Sequence, residues 1–341
     1  MIDLDGVITD LRPYRLPMRV RFRGLSERTG VLLRGPAGWG EFSPFPEYGP
    51  DYASRWLLAA WEAAVRPFPP PVRNQVPVNT TIPAVGPAEA HRLAAGSGCA
   101  TAKVKVAEPG QDLATDVERV AAVRDALGPD GQLRVDANAA WDVETAVLAI
   151  ARLDRAAGGL EYVEQPCRTL AELAEVRRRA VAPIAADESI RTAEDPMRAA
   201  RTDAVDVLVL KVQPLGGVRR ALEVAEAAGL PVVVSSALES SVGLAAGVAF
   251  AAALPELPFA CGLGTATLLA SDVTDTPLAP ELGVLPVRRV SPDPASLDQA
   301  AADPEAAVAW LERLRAAVRV VEDVRAAGPE PGPDPGASDA R

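Results

Sequence analysis

The sequence predicts an α/β protein: a (β/α)8-type, modified TIM barrel with an α+β capping domain formed by the N-terminal region and the C-terminal segment. Three observations predict it. Short apolar strands alternate with helical stretches about eight times over roughly 190 residues. Polar residues stand at the C-terminal ends of nearly all these strands, where a barrel carries its active site. Ahead of them, residues 11–45 alternate in strand fashion between turn signals, as a small antiparallel sheet does. An open doubly wound sheet is the rival architecture, and the strand-end placement of the polar residues favours the barrel.

The elements follow in order. Tyr14 to Phe22, Gly30 to Arg34 and Gly38 to Ser43 read as the antiparallel sheet. Asp51 to Arg66 reads as an amphipathic helix, with Trp56, Ala60 and Ala64 near helical spacing. FPPPV at 68–72 is a stiff linker. The barrel strands are expected at Pro77–Ile82, Ala102–Val106, Leu133–Asp136, Tyr162–Glu164, Ile184–Asp187, Val207–Lys211, Val232–Ser235 and Phe259–Gly262. Val242 to Leu254 is apolar but too short to cross a bilayer, and reads as a buried helix. A further strand and a long helix, Pro304–Ala326, are expected to return to the N-terminal sheet. The expected division is 1–74 for the cap, 75–270 for the barrel, 271–326 for the returning segment and 327–341 for a disordered tail rich in Pro, Gly and Asp.

Composition removes several function classes. Net charge is −11, with no Lys/Arg cluster interleaved with aromatics, so neither nucleic acid nor a membrane is expected as partner. Arg177 to Arg179 reads as a solvated helix face. The N-terminus lacks a basic region followed by an apolar one, so a cytoplasmic location is expected. Cys99, Cys167 and Cys261 are widely spaced and odd in number, which suits neither disulfides nor zinc. The single histidine, His91, excludes His-based triads and multi-His metal sites. Acid–base chemistry therefore falls to Lys, Glu, Asp or Tyr.

Three carboxylates end consecutive strands: LRVDAN on Asp136, EYVEQP on Glu164 and PIAADE on Asp187. They stand 28 and 23 residues apart (136 to 164, 164 to 187), close to one βα unit of about 25–30 residues. Neighbouring strand ends bring them together, where they repel one another. A hard dication with oxygen ligands resolves this: Mg²⁺, with Mn²⁺ as the alternative. Helix N-capping explains any single one of these acids as well, but not three in register. Lys103 and Lys105 share one strand face, and Lys211 sits inside an apolar run, where a lone ammonium is costly. Their strands flank the three carboxylate strands, so Lys105 and Lys211 face each other across the metal. Such a site suits proton abstraction beside a substrate carboxylate.

At these residues the sequence resembles the enolase superfamily and, within it, the o-succinylbenzoate synthase family. The resemblance rests on GWGEFSPFPEYG at 38–49, TAKVKV at 101–106, RVDAN at 134–138, EYVEQP at 161–166, ADES at 186–189, LKVQPLGG at 210–217 and SSALESSVG at 235–243. It implies Asp136, Glu164 and Asp187 as metal ligands, Lys105 as base and then acid, and Lys211 as the charge opposite. Ser235 and Ser236, with Lys103, are implied at the substrate; Arg134, Asn138 and Glu188 are expected to support the ligands, and Gln165 and Pro166 to shape the turn after Glu164. Residues 40–49 are implied as a mobile lid, with Phe42, Phe45 and Tyr48 excluding water. The implied reaction is a dehydration of a small-molecule carboxylate. An N-acylamino acid racemase is the nearest alternative. A dipeptide epimerase is disfavoured because the eighth strand end reads Cys261-Gly262-Leu263-Gly264, without acids. A muconate-type cycloisomerase is disfavoured by the SSALESSVG segment, and a non-catalytic barrel by the complete set of ligands and lysines. Oligomeric state is not fixed by the sequence.

Overall fold

A computed structural model describes residues 6–22, 24–191 and 197–327. Strands β1 (Asp10–Phe22), β2 (Leu25–Gly35) and β3 (Gly38–Phe42) form an antiparallel sheet. Helix α1 (Pro50–Val65) lies across it. The approach is close: a Cβ at Gly40 would stand 2.0 Å from the Ala60 carbonyl oxygen. Only glycine lets helix and sheet meet there.

The barrel follows. Strand β4 (Gln75–Pro77) precedes β5 (Thr80–Ile82), α2 (Pro87–Ala95), β6 (Thr101–Lys105), α3 (Leu113–Leu127), β7 (Gln132–Asp136), α4 (Val143–Ala157), β8 (Tyr162–Glu164), α5 (Leu170–Arg179) and β9 (Ile184–Ala186). Short helices α6 (Glu188–Arg191) and α7 (Met197–Arg201) lead to β10 (Val207–Leu210), α8 (Val212–Leu215), α9 (Val218–Ala228), β11 (Val232–Val234) and α10 (Ser241–Ala253). Seven strands run parallel in the order β11-β10-β9-β8-β7-β6-β5. Side chains cap the helices where the chain reverses: Asp112 and Asp142 accept from the third residue of α3 and α4, and Thr169 and Glu172 form a capping box on α5.

Two expected strands are shorter than the pattern suggested. Pro77–Ile82 is divided: β4 pairs outward with β12 (Val284–Pro286), and only β5 joins the barrel. Phe259–Gly262 is reduced to two bridges, Ser235 to Gly262 and Val78 to Cys261, and these close the barrel. Gly262 lies so near Ser235 Oγ that an added Cβ would be 2.6 Å away, so the chain passes as bare backbone.

After β12 come α11 (Pro294–Gln299) and α12 (Pro304–Ala327). Trp310, Leu314, Ala317 and Val321 of α12 share one core with Val31, Leu33, Phe42 and Trp56 of the capping elements. Helix α10 is buried along nearly its whole length, and no helix among the described residues is long and apolar enough to cross a membrane. All three cysteines are free and buried. Arg177 and Arg179 pair with Asp206 and Glu144 at 2.8 and 2.6 Å. Ala327 still belongs to α12; the remainder of the expected disordered tail lies outside the described residues.

Candidate active site

The barrel mouth opens into a cavity of about 820 Å³. Its floor is made by strand ends. In the register of β6, β7 and β8, Lys105 lies opposite Asp136 and Asp136 opposite Glu164. Alternation along β6 turns Lys103 and Lys105 the same way. Asp187 follows the last residue of β9, and Lys211 that of β10. All six groups line the cavity. They include every lysine in the chain; apart from His91, every other basic side chain is arginine. Arginine cannot deprotonate in a protein, and lysine can.

Each carboxylate is held by an ammonium group. Lys103 Nζ donates to both oxygens of Glu164 at 2.9 and 3.0 Å and stands 3.3 Å from Asp136. Lys105 Nζ donates to Asp136 Oδ2 at 2.5 Å and to Asn138 Oδ1 at 2.8 Å. Lys211 Nζ donates to both oxygens of Asp187, at 2.8 and 2.6 Å. Burial opposes charge on Lys103, but Glu164 and Asp136 outweigh it and hold its pKa well above the lysine range. Burial likewise opposes charge on Asp136, and Lys105 and Lys103 overcome it to push its pKa down. Glu164 goes the other way: burial first, then the charge of Asp136, raise it to about 7.

Among the described residues, no three acidic, histidine or cysteine side chains converge as a ready-made metal cage. The donor set nevertheless suits a hard dication. It is all oxygen and buried, and burial followed by repulsion from Asp136 raises Glu164.

The supporting residues divide. Asn138 takes a positive φ of 45° and bridges Lys105 to Glu188, its Nδ2 lying 3.1 Å from Glu188 Oε1. Gln165, at φ 40°, accepts from the Asp187 amide at 2.8 Å and from Ser189, and so orients the third acid. Arg134 does not stand beside Asp136. Two residues back on the same face, it lies one layer deeper, donating to the Tyr162 hydroxyl at 2.9 Å and the Ala260 carbonyl at 2.8 Å and pairing with Glu161. Its place is the packed interior of the barrel.

The rim comes from loops. Ser235 and Ser236 line the cavity, and Ser236 Oγ lies 2.7 Å from Thr265 Oγ1. Phe45 and Tyr48 line it as well, stacked edge-on at 5.8 Å. Phe42 faces inward against Trp310 at 6.1 Å. In the segment expected as a lid, Arg313 of α12 donates to the carbonyls of Pro44, Phe45 and Tyr48.

Sequence reasoning passed over a buried polar cluster joining cap and barrel. Glu41 of β3 accepts from Tyr14 at 2.6 Å, from Ser43 at 2.7 Å, from Ser240 Oγ at 2.5 Å and from the Gly243 amide at 3.0 Å. Glu239 is buried beside it, and burial and then Glu41 raise it to about 7. The available signal was an acid at an inward position of an apolar strand.

The comparisons agree with this architecture. The chain matches the Enolase C-terminal domain-like model over residues 87–293 and the Enolase N-terminal domain-like model over 14–64. It is 63% identical to an o-succinylbenzoate synthase of Thermobifida fusca, covering 94% of this chain and 99% of the relative. An o-succinylbenzoate synthase of Mycobacterium tuberculosis is 54% identical over 92% and 95% of the two chains. Among solved structures, a muconate lactonizing enzyme from Pseudomonas putida superposes with a TM-score of 0.71 at 22% identity, over 87% of this chain and all of that one, and shares the fold. The chain belongs to the enolase superfamily, and within it to the o-succinylbenzoate synthase family.

Proposed function

We infer that the chain is a lyase that dehydrates 2-succinyl-6-hydroxy-2,4-cyclohexadiene-1-carboxylate to 2-succinylbenzoate by syn elimination, through an enediolate of the substrate. One observation carries the reading at the level of chemistry: Lys105 and Lys211 flank a single buried row of three carboxylates, on strands separated by β7, β8 and β9.

Enzymes of this superfamily depend on a metal ion. Asp136, Glu164 and Asp187 would hold it here, with Mg²⁺ as the ion of choice and Mn²⁺ as its substitute. When bound, the cation supplies positive charge against the substrate carboxylate as that group gains electron density. Lys105 removes the proton α to the ring carboxylate. Asn138 and Asp136 hold its amine in place. The same nitrogen then returns the proton to the departing β-hydroxyl on the same face. One C–H and one C–O bond break, water leaves, and the ring becomes aromatic. Lys211 faces the developing charge from the far side, by charge and a cation–π contact to the ring, and Lys103 keeps Glu164 oriented. Ser235 and Ser236 hold the succinyl carboxylate. The partner is then a small carboxylate metabolite, in the cytoplasm, without a role for nucleic acid.

A racemase of N-acylated amino acids is the second reading, favoured by the same pair of lysines on opposite flanks. Purified protein with Mg²⁺ should aromatise the cyclohexadiene substrate, followed by ultraviolet absorbance, with N-succinyl amino acids tested for racemisation in parallel. Absence of aromatic product would overturn the dehydration.

A further inference from the structure

The turn at Ala237 and Leu238 lines the cavity, and its backbone is unusual. Leu238 adopts φ 63°, a left-handed conformation that a bulky residue avoids. Such strain persists only where neighbours over-determine it. One neighbour stands out. Arg28 of β2 is 1% exposed. Its Nε donates to the Leu238 carbonyl at 3.0 Å, and its Nη2 reaches the carbonyls of Ala237, at 3.3 Å, and Ser43. The guanidinium lies over the Phe45 ring, 4.6 Å from its centre. From the other side, Glu239 accepts from the Ala237 amide at 2.9 Å.

A single planar side chain of the cap therefore grips both cavity rims, the turn at 237–238 and the segment at 43–45. The fork of an arginine can serve several carbonyls at once, which a lysine cannot. The turn follows Ser235 and Ser236 directly, and its Leu238 amide lies 3.4 Å from Ser236 Oγ, so the shape of the turn bears on where the two hydroxyls stand.

We propose that Arg28 is a positioning residue for the carboxylate arm of the substrate: it holds the Ala237–Leu238 turn in its left-handed form and ties it to the Ser43–Phe45 rim. This rests on the reading that the loop at 235–238 receives a succinyl group. Arg28 touches neither the lysines nor the candidate metal ligands, so its influence falls on the arm and not on the ring carboxylate.

The test measures binding by calorimetry with Mg²⁺ present, using 2-succinylbenzoate and benzoate as probes. Wild-type protein should bind 2-succinylbenzoate at least about tenfold more tightly than benzoate. Arg28→Met should collapse that ratio to about twofold or less while benzoate affinity stays the same, with Arg28→Lys between the two. Arg28→Lys carries the test if circular dichroism shows that the methionine variant does not fold. Retention of the wild-type ratio in a folded variant, even with a lower Tm, makes Arg28 a stability residue only and overturns the proposal. No preference in the wild type overturns the succinyl reading itself, and the two failures are thereby distinguished.

Discussion

The strand ends of β6 to β10 and the loop at 235–240 face one cavity but are built by different means. At the strand ends, the cavity is lined by charged side chains on regular backbone: each acid meets an ammonium group and the sheet sets the spacing. At the loop, it is lined by hydroxyls and backbone groups, and Arg28 and Glu41 of the antiparallel sheet hydrogen-bond to Leu238, Ser240 and Gly243 behind them. The two regions therefore rest on different supports, strand register at the floor and contacts between capping elements and barrel at the rim. The floor can be kept by a few fixed residues, whereas the rim depends on how cap and barrel meet.

Substitutions separate the two regions. At the floor, Asp136→Asn or Glu164→Gln should lower Mg²⁺ affinity by about 100-fold or more and turnover with it, because each removes a charge that both the dication and a lysine need. Metal titration of activity checks this, and wild-type metal dependence in either variant would break the assignment. At the rim, Ser236→Ala should raise KM about three- to tenfold, the worth of one hydrogen bond, with kcat little changed. A change confined to kcat would place Ser236 on the floor's side of the division.

The smallest effect is in stability against pH. Glu164 and Glu239 are both raised from 4.5 to about 7 in the folded chain. A carboxyl raised on folding favours the folded state at low pH, and that contribution is lost as pH climbs through the folded-state value. In chelator, Tm should therefore fall by a few degrees between pH 4.5 and 7. Mg²⁺ should remove the floor's share of the slope, and Glu239→Gln the rim's. A slope untouched by both would contradict the two environments.

The floor was legible in the sequence because strand periodicity maps directly onto space. Asp136, Glu164 and Asp187 are spaced by one βα unit, and the lysines share the outward-opening ends. Arg134 shows the limit: period two gives the face but not the depth, and two residues moved it into the barrel interior. The rim was less legible. Arg28 and Glu41 lie about 200 residues before the loop they hold, and no local pattern links them. The closing strand was misread for a related reason, since Gly262 is fixed by proximity to Ser235 and not by strand propensity. The resemblance implied a mobile lid at 40–49, and no local pattern pointed to Arg313, on a helix near the other end of the chain, which donates to carbonyls of that segment.

The central claim is that Lys105 is the base of a dehydration at the row of carboxylates. It is tested most directly by the initial rate of aromatic product formation, followed by ultraviolet absorbance with saturating Mg²⁺, in Lys105→Ala against wild type. The rate should fall by at least about 10³-fold in a variant that keeps its fold and its metal. Turnover at the wild-type rate in that variant would contradict it.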